Sequence, residues 1–341
     1  MADAIIAKAK SIYGKRLTKE DYNNLLHRGN VSGVVAYLKN TQRYKSIFAN
    51  VNENQIHRGQ VEQLLSKEVF ELYIKLCRFM SAERNSFCFY LIKELEMKQI
   101  ISALTYIKAD SDDGYLIEMP AYLMGYLSFD LMKLSGAKDY REILDVLSDT
   151  PYHKILKRFL SGNASVGELD ECAVELYGQY IKWAFKAIER EYKGAQAKSL
   201  KEIFLRQSDL SNIMMCYRKR SLFNEDTEQI KKSLNSYHYL VTPAMLDEIL
   251  SQPDADAKLL ALLKKMYFKG KVEYDPLNLE IGIRRYNYGF YKKQLSFSQN
   301  GTMALYSLMG LCEVERSNLQ KIIEGARYGR TPEETEKLLV I

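Results

Sequence analysis

Three short patterns in this chain place proton-carrying groups at fixed spacing: Glu96-Met-Lys-Gln99-Ile100, Asp209-Leu-Ser-Asn212-Ile213 and Glu315-Arg-Ser-Asn318-Leu319. Each is an acid, an amide three residues later and then a branched aliphatic. On a helix, residues three apart lie on one face, so three carboxylates recur in matched settings. Carboxylates so placed serve as general acids or, along a path through a membrane, as an ion relay. The plainer role is to hydrogen-bond a neighbouring backbone or helix terminus and so fix packing within a domain. That structural role is the one expected of Glu96, Gln99, Asp209, Asn212, Glu315 and Asn318. A relay needs a membrane span, and apolar runs such as Phe87 to Ile92 are far shorter than the ~20 residues a span requires.

Other chemistry has little to stand on. A nucleotide site of the usual kind needs a glycine-rich loop to cradle phosphate, and neither G-x-x-x-x-G-K-[ST] nor G-x-G-x-x-G occurs. His27, His57, His153 and His238 are scattered, with no cysteine at ligand spacing, so no metal site is expected. Cys77, Cys88, Cys172, Cys216 and Cys312 stand singly in apolar helical patterns, without C-x-x-C pairs or a disulfide framework. No G-x-S-x-G elbow is present. The chain reads as a non-enzyme without a cofactor.

One segment carries charge and rings together: Ile283-Arg-Arg-Tyr-Asn-Tyr-Gly-Phe-Tyr-Lys-Lys293 interleaves Arg284, Arg285, Lys292 and Lys293 with four aromatics. It suits a solvated helix face over a tyrosine core, an acidic partner, a lipid headgroup surface or, least well, nucleic acid. Arg218, Lys219 and Arg220 form a second basic group near a helix end, where cations complement the helix dipole. The net charge of +6 arises from dense charges of both signs along the whole chain and is poor evidence for nucleic acid.

The elements that must carry these residues are helices. Val61, Leu64, Leu65, Val69, Leu72, Leu76 and Phe79 form an apolar stripe, and strand alternation is nowhere sustained. Thr150-Pro151, Thr242-Pro243 and Thr331-Pro332 each set a capping hydroxyl before a proline at the first helical position. Ser165-x-x-Glu168, Ser199-x-x-Glu202 and Thr331-x-x-Glu334 read as capping boxes. The signature repeats at roughly 110-residue intervals, within the usual domain range. Upstream echoes extend the duplication: Glu71-Leu-Tyr against Glu175-Leu-Tyr, and the Leu38-to-Tyr44 stretch against Leu147 to Tyr152. The expected architecture is all-α, with three similar helical domains at 1–113, 114–225 and 226–341.

With the repeats placed, the chain resembles the family of the C subunits of V/A-type ATPases (V-type ATP synthases), to which the d subunit of the eukaryotic V-ATPase also belongs. Carriers of the likeness are Leu38-Lys-Asn-Thr-Gln-Arg-Tyr44, Asp209-Leu-Ser-Asn-Ile-Met-Met-Cys-Tyr-Arg-Lys219 and Glu313-Val-Glu-Arg-Ser-Asn-Leu-Gln-Lys-Ile-Ile-Glu-Gly-Ala-Arg-Tyr-Gly329. The first copy departs with Gln99 in place of asparagine. The resemblance implies three domains in a pseudo-threefold funnel, docked on the proteolipid rotor ring and receiving the D and F proteins of the central stalk. It implies a mechanical adaptor without catalytic residues, coupling the axle to the ring during ATP-driven ion transport or ion-driven ATP synthesis.

Localisation follows the same lines. The lone cysteines and an amino terminus without a basic-then-apolar leader are expected of a cytoplasmic chain, peripheral on a membrane through its complex. The competing reading from the residues is a helical-repeat scaffold or RNA-binding adaptor unrelated to ATPases.

Overall fold

The structure is a computed structural model that describes residues 2–83, 86–109, 119–160, 165–272 and 278–341; the expected division after residue 113 lies outside them. The fold is all-α, with no strand among the described residues. The helices run α1 Ala2–Tyr13, α2 Lys19–Leu26, α3 Val31–Leu38, α4 Lys45–Phe48, α5 Arg58–Phe79 and α6 Tyr90–Lys108. Then come α7 Leu131–Ser135, α8 Tyr140–Val146, α9 His153–Phe159, α10 Val166–Glu191 and α11 Gly194–Ser221. After α12 Thr227–Lys232, α13 Pro243–Leu250 and α14 Ala255–Leu263, a π-helical turn Lys264–Phe268 precedes α15 Leu279–Phe297, α16 Gly301–Tyr328 and α17 Pro332–Glu336.

Contacts divide the chain into two units, one joining residues 1–82 to 271–341 and the other spanning 83–270. In the first, α16 packs against α1, α5 and α15. Its apolar core gathers Leu25, Val35, Leu38, Phe48, Val61 and Leu65 from the amino-terminal half around Leu319, Ile322 and Ile323 of α16. The unit is therefore built from both ends of the chain. In the second, α11 packs against α10 and α14, while α6 packs against α10; Phe204 of α11 meets Phe87 and Tyr180 edge-on.

Local signals decide several helix starts. Ser165 and Thr331 close reciprocal capping boxes with Glu168 and Glu334, and Thr242 accepts from the Met245 N–H with Pro243 behind it. Two expected starts are corrected. Ser199-x-x-Glu202 lies inside α11, which already begins at Gly194 after the extended residues Tyr192 and Lys193. Thr150 does not cap a helix at Pro151: its hydroxyl donates back to the Leu147 carbonyl at 2.7 Å, and α9 begins at His153. Residues 151 and 152 form a turn, so the helix starts two residues later than the Thr-Pro pair predicts.

Candidate functional site

The three signature acids are buried, and each grips a distant stretch of chain. Glu96 on α6 is 1% exposed; one oxygen accepts from the Ser128 N–H at 2.7 Å and the other from the Tyr152 hydroxyl at 2.8 Å. Lys93, one turn earlier on the same helix, approaches to 2.9 Å. Asp209 on α11 is fully buried; it accepts from the N–H groups of Tyr239, Leu240 and Val241 at 2.7–2.9 Å and from the Tyr267 hydroxyl. Glu315 on α16 accepts from the Leu17 N–H at 2.9 Å and the Tyr44 hydroxyl at 2.7 Å.

A common arrangement emerges from these bonds. Leu17 and Val241 immediately precede the N-caps Thr18 and Thr242, and Ser128 stands two residues before the N-cap Asp130. Each acid thus holds the chain as it enters a short helix, where backbone donors have no intrahelical acceptor. The second donor is a tyrosine 24 to 27 positions further on: Tyr44, Tyr152 or Tyr267. For Glu96 and Asp209 these partners lie beyond the expected divisions at 113 and 225, in the segment that follows the acid. For Glu315 they lie at the amino-terminal end, so the last acid binds the first helices.

The amides work beside the acids. Asn212 donates to the Asn235 carbonyl at 2.9 Å and accepts its N–H at 3.1 Å; Asn318 does the same with Val340 at 2.7 and 3.0 Å. Each side-chain amide therefore satisfies both polar groups of one residue, 23 or 22 positions downstream. Gln99 is also buried.

Electrostatics distinguish Glu315. Burial pushes its carboxyl above the usual range, opposed by the Tyr44 hydroxyl, the Leu17 N–H and the Arg43 guanidinium. Arg43 stands 3.7 Å from Glu315 and 2.9 Å from Glu68, whose carboxyl burial also raises. Burial raises the tyrosine hydroxyls that face the acids, Tyr44 and Tyr152, and the neighbouring carboxylate adds to it. Cys312 contacts Arg43 at 3.6 Å, yet burial pushes its thiol up to about 12, the reverse of an activated nucleophile. The oxygens of all three carboxylates are thus engaged by main-chain and phenolic donors inside packed helices.

The other expected residues separate. Arg284, Arg285, Lys292 and Lys293 all lie on α15, and the arginine pair and the lysine pair are two turns apart. Lys292 and Lys293 are exposed, whereas Arg284 and Arg285 are half-buried. Among the described residues one buried nitrogen of the Arg284 guanidinium has no acceptor, and its charge is disfavoured by desolvation. The rings between them are shared, with Tyr291 in the core edge-on to Tyr306 and Phe290. The second basic group divides: Lys219 is buried between Asp170 at 2.8 Å and Glu225 at 2.7 Å, Arg220 is half-buried and Arg218 is exposed. All five cysteines are buried. Among the described residues no three His, Cys, Asp or Glu side chains gather to hold a metal ion, and no helix is long and apolar enough to cross a membrane.

The acid signatures are legible in sequence, but most of their donors are not. Tyr44 and Tyr152 belong to the upstream echo, whereas the π-helical turn that carries Tyr267 bears no trace of it. The one signal for Tyr267 is distance, 58 residues beyond Asp209 against 56 from Glu96 to Tyr152.

Among known proteins, the family described as "ATP synthase (C/AC39) subunit" matches residues 5–338. The chain is 24% identical over 213 residues to the C subunit of the A-type ATP synthase of Thermococcus kodakarensis, covering 62% of this chain and 55% of that one. To the same-named protein of Thermococcus onnurineus it is 24% identical over 268 residues, covering 76% and 67%. To that of Desulfurococcus sp. it is 23% identical over 231 residues, covering 67% and 59%. The match thus spans little more than half to two thirds of the length of these relatives.

Proposed function

The chain belongs to the ATP synthase (C/AC39) subunit family, and from that premise we propose that it is the non-catalytic adaptor of a V/A-type rotary ATPase, coupling the central axle to the membrane proteolipid ring. The observation that carries this reading is the family match over residues 5–338. The three buried acid joints support it. A part that transmits torque must resist shear between its helices, and a carboxylate tied at once to a helix start and a tyrosine cross-links elements far apart in sequence.

In this reading the three repeats form three domains about a pseudo-threefold axis; the packing cells of Glu96 and Asp209 run from the acid helix to the segment after it, and that of Glu315 runs to the amino-terminal segment. The partners are the proteolipid ring and the D and F proteins of the central stalk. The chain sits at the cytoplasmic face, held to the membrane through the complex. The α15 residues Arg284, Arg285, Lys292 and Lys293 form the partner contact; an arginine with a desolvated, unpaired nitrogen gains most from an incoming carboxylate.

Isolation from native membranes in mild detergent tests the proposal. The tagged chain is expected to bring down the ring, the stalk proteins and ATPase activity together. Recovery of the chain free of all three overturns it.

A further inference from the structure

A second surface lies at one end of the unit formed by residues 1–82 and 271–341. The carboxy-terminal residues of α5 and α15, Phe79 and Phe297, are 42% and 78% exposed, although burying a phenylalanine is strongly favourable. Helix α1, packed on α15 and α16, reaches both of these ends. Lys8 sets its ammonium 4.1 Å from the centre of the Phe79 ring, and Lys10 donates to the Ser296 carbonyl beside Phe297 at 3.1 Å. Exposed Lys75 and Arg78 share the end of α5 with Phe79, and exposed Lys293 lies one turn before Phe297. Carboxylates are sparse here. The nearest along the chain are Asp3, more than a turn before Lys8, Glu71, one turn before Lys75 and 3.7 Å from Lys67, Glu83, four residues after Phe79, and Glu280 at the far end of α15.

We propose that this end of the unit contacts the surface of an anionic lipid bilayer directly, with Phe79 and Phe297 seated among the headgroups and Lys8, Lys10, Lys75, Arg78 and Lys293 facing lipid phosphate. Apolar rings flanked by basic residues are the chemistry of interfacial binding, in which ring burial and attraction to anionic lipid act together. The cations favour lipid over a protein partner. Most are lysines on flexible stems at three helix ends, suited to several mobile phosphates, whereas a fixed carboxylate is better matched by the planar fork of arginine. The inference rests on the reading of the chain as a membrane-peripheral protein, and it goes beyond attachment through the ring.

Flotation of the purified full chain with vesicles tests it. Binding is expected to vesicles of phosphatidylcholine mixed with phosphatidylglycerol, and little to phosphatidylcholine alone, with loss at high salt. F79A/F297A and K8Q/K10Q/K75Q are each expected to lower partitioning at least tenfold while leaving the circular dichroism of the chain unchanged. No binding, equal binding to neutral and anionic vesicles, or binding that neither variant alters overturns the proposal. Co-isolation with the ring in detergent, where no bilayer is present, reads the coupling role separately, so either reading can fail alone.

Discussion

Asp209, Glu96 and Glu315 differ in how much each holds. Asp209 accepts three main-chain N–H groups and a hydroxyl, while the other two each accept one of either kind. A hydrogen bond to a charged group contributes about 1.5–3 kcal/mol. Tyr267→Phe and Tyr152→Phe should each cost about that much in urea unfolding, and an unchanged midpoint would remove the tyrosines from the joint. Glu315 adds a pH signature. Its folded carboxyl holds a proton more tightly than an ordinary glutamate, so its contribution is full below the unfolded pKa and is lost as pH rises through the folded one. The stability advantage of the parent over Glu315→Gln should therefore be greatest below pH 4.5 and shrink toward neutrality; a gap that widens would contradict the assignment. The acids themselves are legible because a side chain with a fixed spacing leaves a pattern. Their N–H donors are not, since every residue except proline carries one.

At the scale of elements, the stripes and most caps are visible in the sequence, and the failures have local causes. Ser199 has the letters of a capping box but stands in a helix already started by the reversal at Tyr192 and Lys193. The hairpin of α15 and α16 depends on a contact no pattern announces. A β-carbon at Gly310 would stand 2.5–2.7 Å from the ring of Tyr291, itself buried and edge-on to Tyr306. Gly310→Ala gains up to about 1 kcal/mol in helix propensity yet should lose stability overall, because overpacking costs about 1–3 kcal/mol. The cost should be smaller in a Tyr291→Leu background, as a double-mutant cycle of thermal unfolding would show. Equal costs in both backgrounds would mean that the ring is not what excludes the methyl group.

Across the whole molecule, the informative fact is that the third acid is completed by the amino-terminal segment. A linear reading finds three signatures and divides the chain between them, yet Glu96 and Asp209 bind forward and Glu315 binds Leu17 and Tyr44, 298 and 271 positions away. Repetition is legible in sequence; the direction in which each repeat closes is not, because it depends on contacts between the chain ends. The complex isolated from native membranes through this chain supplies the decisive measurement, its density by electron cryomicroscopy. The account predicts the chain between the membrane ring and the foot of the axle, with the joints at Glu96, Asp209 and Glu315 disposed around one axis. Density for the chain on a peripheral stalk, or away from the rotor, would contradict it.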